Sequence, residues 1–348
     1  MRILHLIYSF NTGGAERMVI ALANSQITHH QVGLCIINDL YSPDLLSELD
    51  DRIRLFRVDR KKGSRNICDV LLLNWYILKF HPDILHVHDS DAILYVPIRR
   101  LYRSLLTIHA SCLPLKGIGL YDRTVAISKA VAHATETRGF SLPQVIYNGV
   151  PTSAIWQFPR VERSRKEFRI VQVGRLEHTV KGQHLLLEVL DGLAYPYVTV
   201  DFIGSGSSEA WLMERTRELR LEKKVNFLGN RSSEWIYRHL CEYQLLVQPS
   251  LDEGFGLTIA EGMSAGVPVL VSNLPGPMEV IGEGKYGYFF ASNDINDFRR
   301  KLEHIITYYE EAQQLASEAN SHVVAQFDFE RTAGQYINIY NNLLVELN

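Results

Sequence analysis

The chain has 348 residues, 46% of them hydrophobic and 22% charged, with a formal net charge of -3. That length suffices for two domains with separate cores, and so slight a negative balance gives no electrostatic case for nucleic acid. Cys35, Cys68, Cys112 and Cys241 are scattered without a CxxC pair, which argues against a zinc site or a disulfide framework and suits a reducing cytoplasm.

Met1 to Phe10 is too short for a signal peptide and reads as a first strand, Arg2 to Tyr8. No run reaches the length of a membrane span. Asn11-Thr12-Gly13-Gly14-Ala15-Glu16-Arg17 then turns the chain into a helix carrying Met18, Val19, Ala21 and Leu22. The double glycine is either a plain tight turn or a ligand-binding strand-glycine-helix arrangement. Gln31 to Asn38 and Arg52 to Val58 predict further strands. Lys61, Lys62 and Arg65 make one basic cluster and Arg99, Arg100 and Arg103 another. Each is a solvated face or a contact for anionic lipid or a diphosphate acceptor.

Pro82 to Asp89 predicts a strand whose polar carboxyl end, in an open parallel sheet, faces the ligand crevice. His86 and His88 fall on one face of it, and Asp89-Ser90-Asp91 superficially matches the DxD signature of metal-dependent sugar transfer. No further ligand stands at a suitable spacing, so no metal is expected. Leu105 to His109 predicts another strand. His109 either caps it or, at a crevice rim, holds a sugar or shuttles a proton. An apolar, glycine-containing loop follows from Leu113 to Tyr121. Thr124 to Ser128 leads into a helix from Lys129, and Gln144 to Tyr147 ends at Asn148-Gly149-Val150-Pro151, the exit of a domain. Residues 152–167 are irregular and charged, as in a linker.

Phe168 to Val173 predicts the first strand of the second half and opens into Gly174-Arg175-Leu176, with Lys181-Gly182 before an apolar helix, Leu185 to Leu190. Arg175 and Lys181 share one short loop, so their cationic heads either converge on a diphosphate or are exposed surface charges. Tyr197 to Ile203 closes on Gly204-Ser205-Gly206, and Val225 to Leu228 closes on Gly229-Asn230. Tyr243 to Val247 leads into Pro249 to Pro268, again strand, glycine loop and helix. Gly254 and Gly256 remove side chains where a phosphate would approach the backbone, and the helix from Leu257 offers unpaired N–H groups. Glu253 stands at the mouth of this loop and Glu261 about two turns along the helix. The pair either binds hydroxyl groups flanking a phosphate or consists of a helix-start acid and a solvated one.

Three motif matches fail on context. Gly204 to Glu209 lacks the third glycine of a dinucleotide fingerprint, and Gly282 to Gly287 has all three but precedes an apolar strand. Gly262-Met263-Ser264-Ala265-Gly266 has the spacing of a nucleophile elbow with strand and helix in the wrong order. The sequon Asn230-Arg231-Ser232 is a chance match for a chain expected to stay in the cytoplasm.

Taken together, these pieces resemble the retaining glycosyltransferases of family 4, built on the GT-B fold. The resemblance rests on Gly13-Gly14-Ala15-Glu16-Arg17, His86-Val87-His88, Thr107-Ile108-His109, Val125 to Lys129, Asn148-Gly149-Val150, Val173 to Leu176 with Lys181-Gly182, Phe202 to Gly206, Phe227-Leu228-Gly229, and Pro249 to Glu261. Their order covers nearly the whole chain. It implies an α/β protein of two Rossmann-like parallel-sheet domains facing each other across a cleft. Residues 1–151 would bind the acceptor, with a last helix of about 329–348 crossing back onto them, and residues 152–328 would bind a nucleotide-sugar donor.

By the same resemblance Glu261 would bind the ribose hydroxyls, Glu253 the donor sugar, and Arg175 with Lys181 the diphosphate. The amides of Phe255, Gly256 and Leu257 with the Thr258 hydroxyl would meet the phosphates, beside Gly254 and Gly204. Gly13 and Gly14 would approach from the other domain, and Gly229, Asn230 and Arg231 would lie near the base. His109 resembles the family's active-site histidine. Five residues separate Arg175 from Lys181, slightly more than in the commonest form of this loop, so Lys181 carries over less directly than Arg175. The implied activity is retaining, metal-independent transfer of a hexose from a UDP-sugar, in preference to GDP, to a glycan or polyprenyl-linked acceptor in cell-surface polysaccharide biosynthesis. It needs no cofactor. A cytoplasmic enzyme is expected, with peripheral contact between its N-terminal domain and the anionic inner face of the membrane. A GT-B epimerase or phosphorylase, and a non-catalytic sugar-nucleotide-binding module, are the alternatives.

Overall fold

The computed structural model describes residues 1–11, 13–64, 66–157 and 167–345. Thr12 of the double-glycine turn, Arg65 of the first basic cluster, residues 158–166 of the expected linker and residues 346–348 of the expected last helix lie outside the described residues. Two compact units divide the chain: Met1–Gly149 with the segment from Glu330 onward, and Val150–Phe329.

The first unit holds a seven-stranded parallel sheet built from β1 (Arg2–Ile7), β2 (Gln31–Asn38), β3 (Arg54–Arg60), β4 (Ile84–Val87), β5 (Arg103–Ile108), β6 (Arg123–Ala126) and β7 (Gln144–Val145), in the order β3-β2-β1-β4-β5-β6-β7. Crossover helices cover both faces, which is why β1 and β2 read as nearly unbroken apolar runs. Leu4 and Leu6 pack with Leu73 and Ile77 on one face, while Ile7, Leu34 and Ile36 pack with Val19, Ile20 and Ala23 on the other. Strand β3 starts later than the expected Arg52 because Asp50 accepts hydrogen bonds from both the backbone and guanidinium N–H groups of Arg52, each at 2.9 Å, and holds it in the preceding turn. The helix Ile67–Phe80 carries no periodic signal in its sequence, which is apolar almost all round. In the 113–121 loop Leu115 and Ile118 turn inward and are buried. The last helix, Phe329–Val345, contributes the fully buried Tyr336 and Tyr340 to this unit, and Thr332 Oγ1 donates to the Tyr147 carbonyl at 3.0 Å.

The second unit holds a six-stranded parallel sheet of β8 (Phe168–Val173), β9 (Val198–Ile203), β10 (Val225–Gly229), β11 (Leu245–Gln248), β12 (Val269–Ser272) and β13 (Tyr288–Phe290), in the order β10-β9-β8-β11-β12-β13. Strand order reverses between β8 and β11, and there the loops leaving their carboxyl ends become neighbours. The helix Tyr309–Phe327 lies against the helix Leu257–Ser264, where Asn320 Nδ2 donates to the Ser264 carbonyl at 2.6 Å. No disulfide joins the four cysteines, and burial pushes the Cys35 thiol up to about 12. No helix of the described residues is long and apolar enough to cross a membrane.

Candidate functional site

At the carboxyl edge of the second sheet, glycines let four loops approach one another. A Cβ on Gly182, whose φ is +66°, would stand 1.9 Å from the Pro249 carbonyl oxygen, and one on Gly204 would stand 2.1 Å from that of Gly174. Backbone bonds then join the loops: Leu251 N donates to the Val180 carbonyl at 2.8 Å, and Gly204 N to the Gly229 carbonyl at 2.9 Å. The loops carrying Arg175 to Lys181, Gly204, Gly229 to Arg231, and Glu253 to Thr258 thus form one rim.

On that rim Lys181 Nζ lies 2.7 Å from Glu253 Oε2, the two side chains being 19% and 16% exposed. Arg175 Nε meets Glu177 Oε2 at 3.2 Å and its side chain is 54% exposed. Each cation therefore already faces a carboxylate. Two buried glutamines hold the loop beneath: Gln172 Nε2 donates to the Lys181 carbonyl at 2.8 Å and Gln183 Nε2 to that of Arg175 at 2.9 Å. Glu177 escaped the sequence reading, although it stands two positions from Arg175 inside the long form of the loop.

Gly256 enters the helix Leu257–Ser264 with φ +103° and no side chain caps the first turn, so its N–H groups keep their attraction for an anion. Thr258 Oγ1 reaches toward Gln248 Oε1 at 3.5 Å. Phe255 is buried with its ring edge-on to Phe327, which leaves its backbone as the part a ligand could meet. Glu261 is only 9% exposed, on the same helix, and so is not a solvated helix acid. Asn230 and Arg231 are exposed beyond β10, with the Arg231 guanidinium over the Trp235 ring.

In the first unit Gly13 and Gly14 lie at the carboxyl end of β1, with Gly13 extended at the start of the helix Gly14–Gln26. The same sheet holds a chain of histidines. His5 on β1 is in register with His86 on β4. His5 Nε2 lies 2.8 Å from Gln26 Oε1, His5 Nδ1 3.0 Å from His88 Nε2, and His88 Nδ1 3.0 Å from His109 Nε2. His86 lies 2.7 Å from the Tyr340 hydroxyl and 2.8 Å from Thr107 Oγ1. Burial lowers His5 and His109 to about 4, the hydrogen bond that His5 donates to Gln26 opposing it at His5. Burial, and then neighbouring imidazoles, hold His86 and His88 well below the usual histidine range.

Sequence spacing offered two of these rings as metal ligands; the fold adds a third. Nitrogens of His5, His86 and His88 lie within 4.8 Å of one another, but those of His5 and His86 are engaged on both sides and both of His88 hydrogen-bond to other rings. A cation would have to displace those bonds. Asp89 of the DxD match accepts a hydrogen bond from Tyr8 N at 2.7 Å, and burial raises its pKa. His5 itself could have been flagged, because a histidine between Leu4 and Leu6 in a buried strand requires polar partners.

Comparison with known proteins matches residues 155–322 to the family described as Glycosyl transferases group 1 and residues 12–154 to Glycosyltransferase Family 4. The lipopolysaccharide 1,6-galactosyltransferase of Salmonella typhimurium is 30% identical over 206 residues, 57% of this chain and 55% of that protein. Glycogen synthase of Mycobacterium tuberculosis is 28% identical over 198 residues, 56% of this chain and 47% of that protein. The matches thus span about half the length of these curated relatives. Among solved structures, Anabaena HepE in complex with UDP and glucose superposes with a TM-score of 0.84 at 21% identity, covering 98% of this chain and 100% of that one. Sucrose-phosphate synthase of Thermosynechococcus elongatus gives 0.83 at 17% identity, covering 99% of each chain. The fold is GT-B, and the chain belongs to the family 4 glycosyltransferases.

Proposed function

We propose that this chain is a retaining, metal-independent glycosyltransferase that moves a hexose from a UDP-sugar to a glycan or polyprenyl-linked acceptor in cell-surface polysaccharide biosynthesis. The carrying observation is the rim where Arg175, Lys181 and Glu253 gather beside the uncapped helix start at Gly256. An arriving diphosphate would draw Arg175 and Lys181 from their carboxylates, freeing Glu253 for the sugar hydroxyls. Charge growing on the departing diphosphate is then met by two cations and by backbone amides, and transfer needs no protein nucleophile. Glu261 would take the ribose. The lipopolysaccharide galactosyltransferase and the Escherichia coli O-antigen biosynthesis glycosyltransferase among the relatives support a glycan acceptor. Incubation with a panel of UDP- and GDP-sugars, with and without EDTA, tests the donor, and NMR of the product anomer tests retention. Release of UDP unaffected by EDTA is expected; dependence on a divalent cation or an inverted anomer would overturn the mechanism.

The proposed site of action is the cytoplasmic face of an anionic membrane. Ile67, Leu71, Trp75 and Leu78 line one face of the helix Ile67–Phe80 and are 65%, 63%, 52% and 49% exposed. Lys79 stands over Trp75 and exposed Lys61 and Lys62 precede the helix, a pairing of apolar and basic groups suited to a headgroup layer. Flotation with anionic vesicles should fall several-fold in a Leu71→Ser, Trp75→Ser variant; equal flotation would discard this surface.

A further inference from the structure

The hydrogen bonds around the four linked histidines set the placement of protons as well as of rings. A neutral imidazole has one N–H and one bare nitrogen, and burial keeps His5, His88 and His109 neutral near pH 7. Gln26 has two unlike ends. Its Nε2 donates to the Tyr340 hydroxyl at 3.2 Å, and its Oε1, which can only accept, lies 2.8 Å from His5 Nε2. His5 therefore carries its proton on Nε2 and leaves Nδ1 bare. His88 Nε2, 3.0 Å away, must supply the hydrogen that His5 Nδ1 accepts, so His88 Nδ1 is bare in turn. His109 Nε2, at 3.0 Å, must then donate to His88. The chain ends on His109 Nδ1, a lone pair buried with no hydrogen-bond partner among the described residues.

Reversing the order would turn over the Gln26 amide and finish on a buried N–H at His109 without an acceptor, a rarer defect than an idle lone pair. The second branch agrees with the first. Tyr340 accepts from Gln26 and turns its own proton to His86 Nδ1 at 2.7 Å, leaving His86 Nε2–H to donate to Thr107 Oγ1 at 2.8 Å.

We propose that Gln26, acting through His5 and His88, is a positioning residue that holds His109 as its Nε2–H tautomer, so that Nδ1 is an acceptor reserved for a hydroxyl group of the sugar ligand. A bare imidazole nitrogen accepts from a hydroxyl and repels the oxygens of a phosphate or carboxylate, which gives the position a chemical preference. The identity of the ligand rests on the glycosyl-transfer reading; the proton order does not.

Long-range proton–nitrogen NMR of the full chain with nitrogen-labelled histidine reads the tautomer directly. His109 should be protonated at Nε2 and bare at Nδ1 in the wild type, and the same in Tyr340→Phe, which keeps the Gln26 carbonyl on His5. Gln26→Leu should give mixed tautomers at His109 and raise the KM for the nucleotide sugar in proportion to the Nε2–H fraction lost, about twofold for an even mixture, with a smaller change in kcat. A wild-type His109 protonated at Nδ1 would overturn the proposal without recourse to any variant. So would a Gln26→Leu protein with mixed tautomers and unchanged KM. Failure to turn over any nucleotide sugar, with the tautomer as expected, would instead remove the glycosyl-transfer reading and leave the proton order standing.

Discussion

The rim of the second unit and the histidine chain of the first use polar groups in opposite ways. The rim keeps its charges near water: Arg175 is more than half exposed, and Lys181 with Glu253 is partly so, each charge meeting its opposite. His5, His86 and His88 are buried, His109 is half-buried, and their order comes from donor and acceptor complementarity with Gln26, Tyr340 and Thr107. Charge open to a ligand stays where desolvation is cheap; groups that hold one geometry are buried, where an unpaired polar atom is costly and every nitrogen of the linked histidines but His109 Nδ1 has a partner.

Removing one member of the rim should break this contrast most severely. Glu253→Ala and Arg175→Ala are each expected to lower turnover by about a hundredfold to a thousandfold, measured as nucleotide release. Near-normal rates in either variant would take that residue out of the mechanism.

The buried chain should show itself in pH dependence. His5 has a folded pKa of about 4 against the usual 6.5, so the unfolded chain binds its proton first as pH falls. Stability is fully present above about pH 6.5 and is lost as pH drops toward 4, by on the order of 3 kcal/mol for His5 alone. His109, also lowered to about 4, acts in the same sense; Asp89, raised by burial, acts in the opposite one. Urea unfolding of the wild type and of His5→Phe between pH 8 and 4.5 compares the two slopes, and equal slopes would remove His5 as a source.

The smallest effect is expected at the open end of the histidine chain. His109→Ala should reduce kcat/KM about tenfold, the scale of one hydrogen bond to a ligand. Full activity would return His109 to a strand-end role.

Much of the architecture is written locally. The glycine turns after β1, β8, β9, β10 and β11 stand where predicted, because a strand buried on both faces must be apolar and its crossing to a helix demands residues that tolerate close approach, as at Gly204, or a positive φ, as at Gly174 and Gly229. Boundaries moved where side chains captured the backbone, as Asp50 did ahead of β3. The helix Ile67–Phe80 was hidden because an apolar run shows no period.

The sequence by itself determined the two parallel-sheet units, the glycine loops at their carboxyl edges and the charged residues those loops carry, since these follow from neighbours a few positions apart. Only the tertiary structure decided that Lys181 faces Glu253, 72 positions away. Only the fold, too, could bring Gln26, His5, His88 and Tyr340 into one chain, Tyr340 lying 314 positions from Gln26. Pairing of buried polar groups is settled by whichever partner the packed elements bring within about 3 Å, and that distance has no trace in linear spacing.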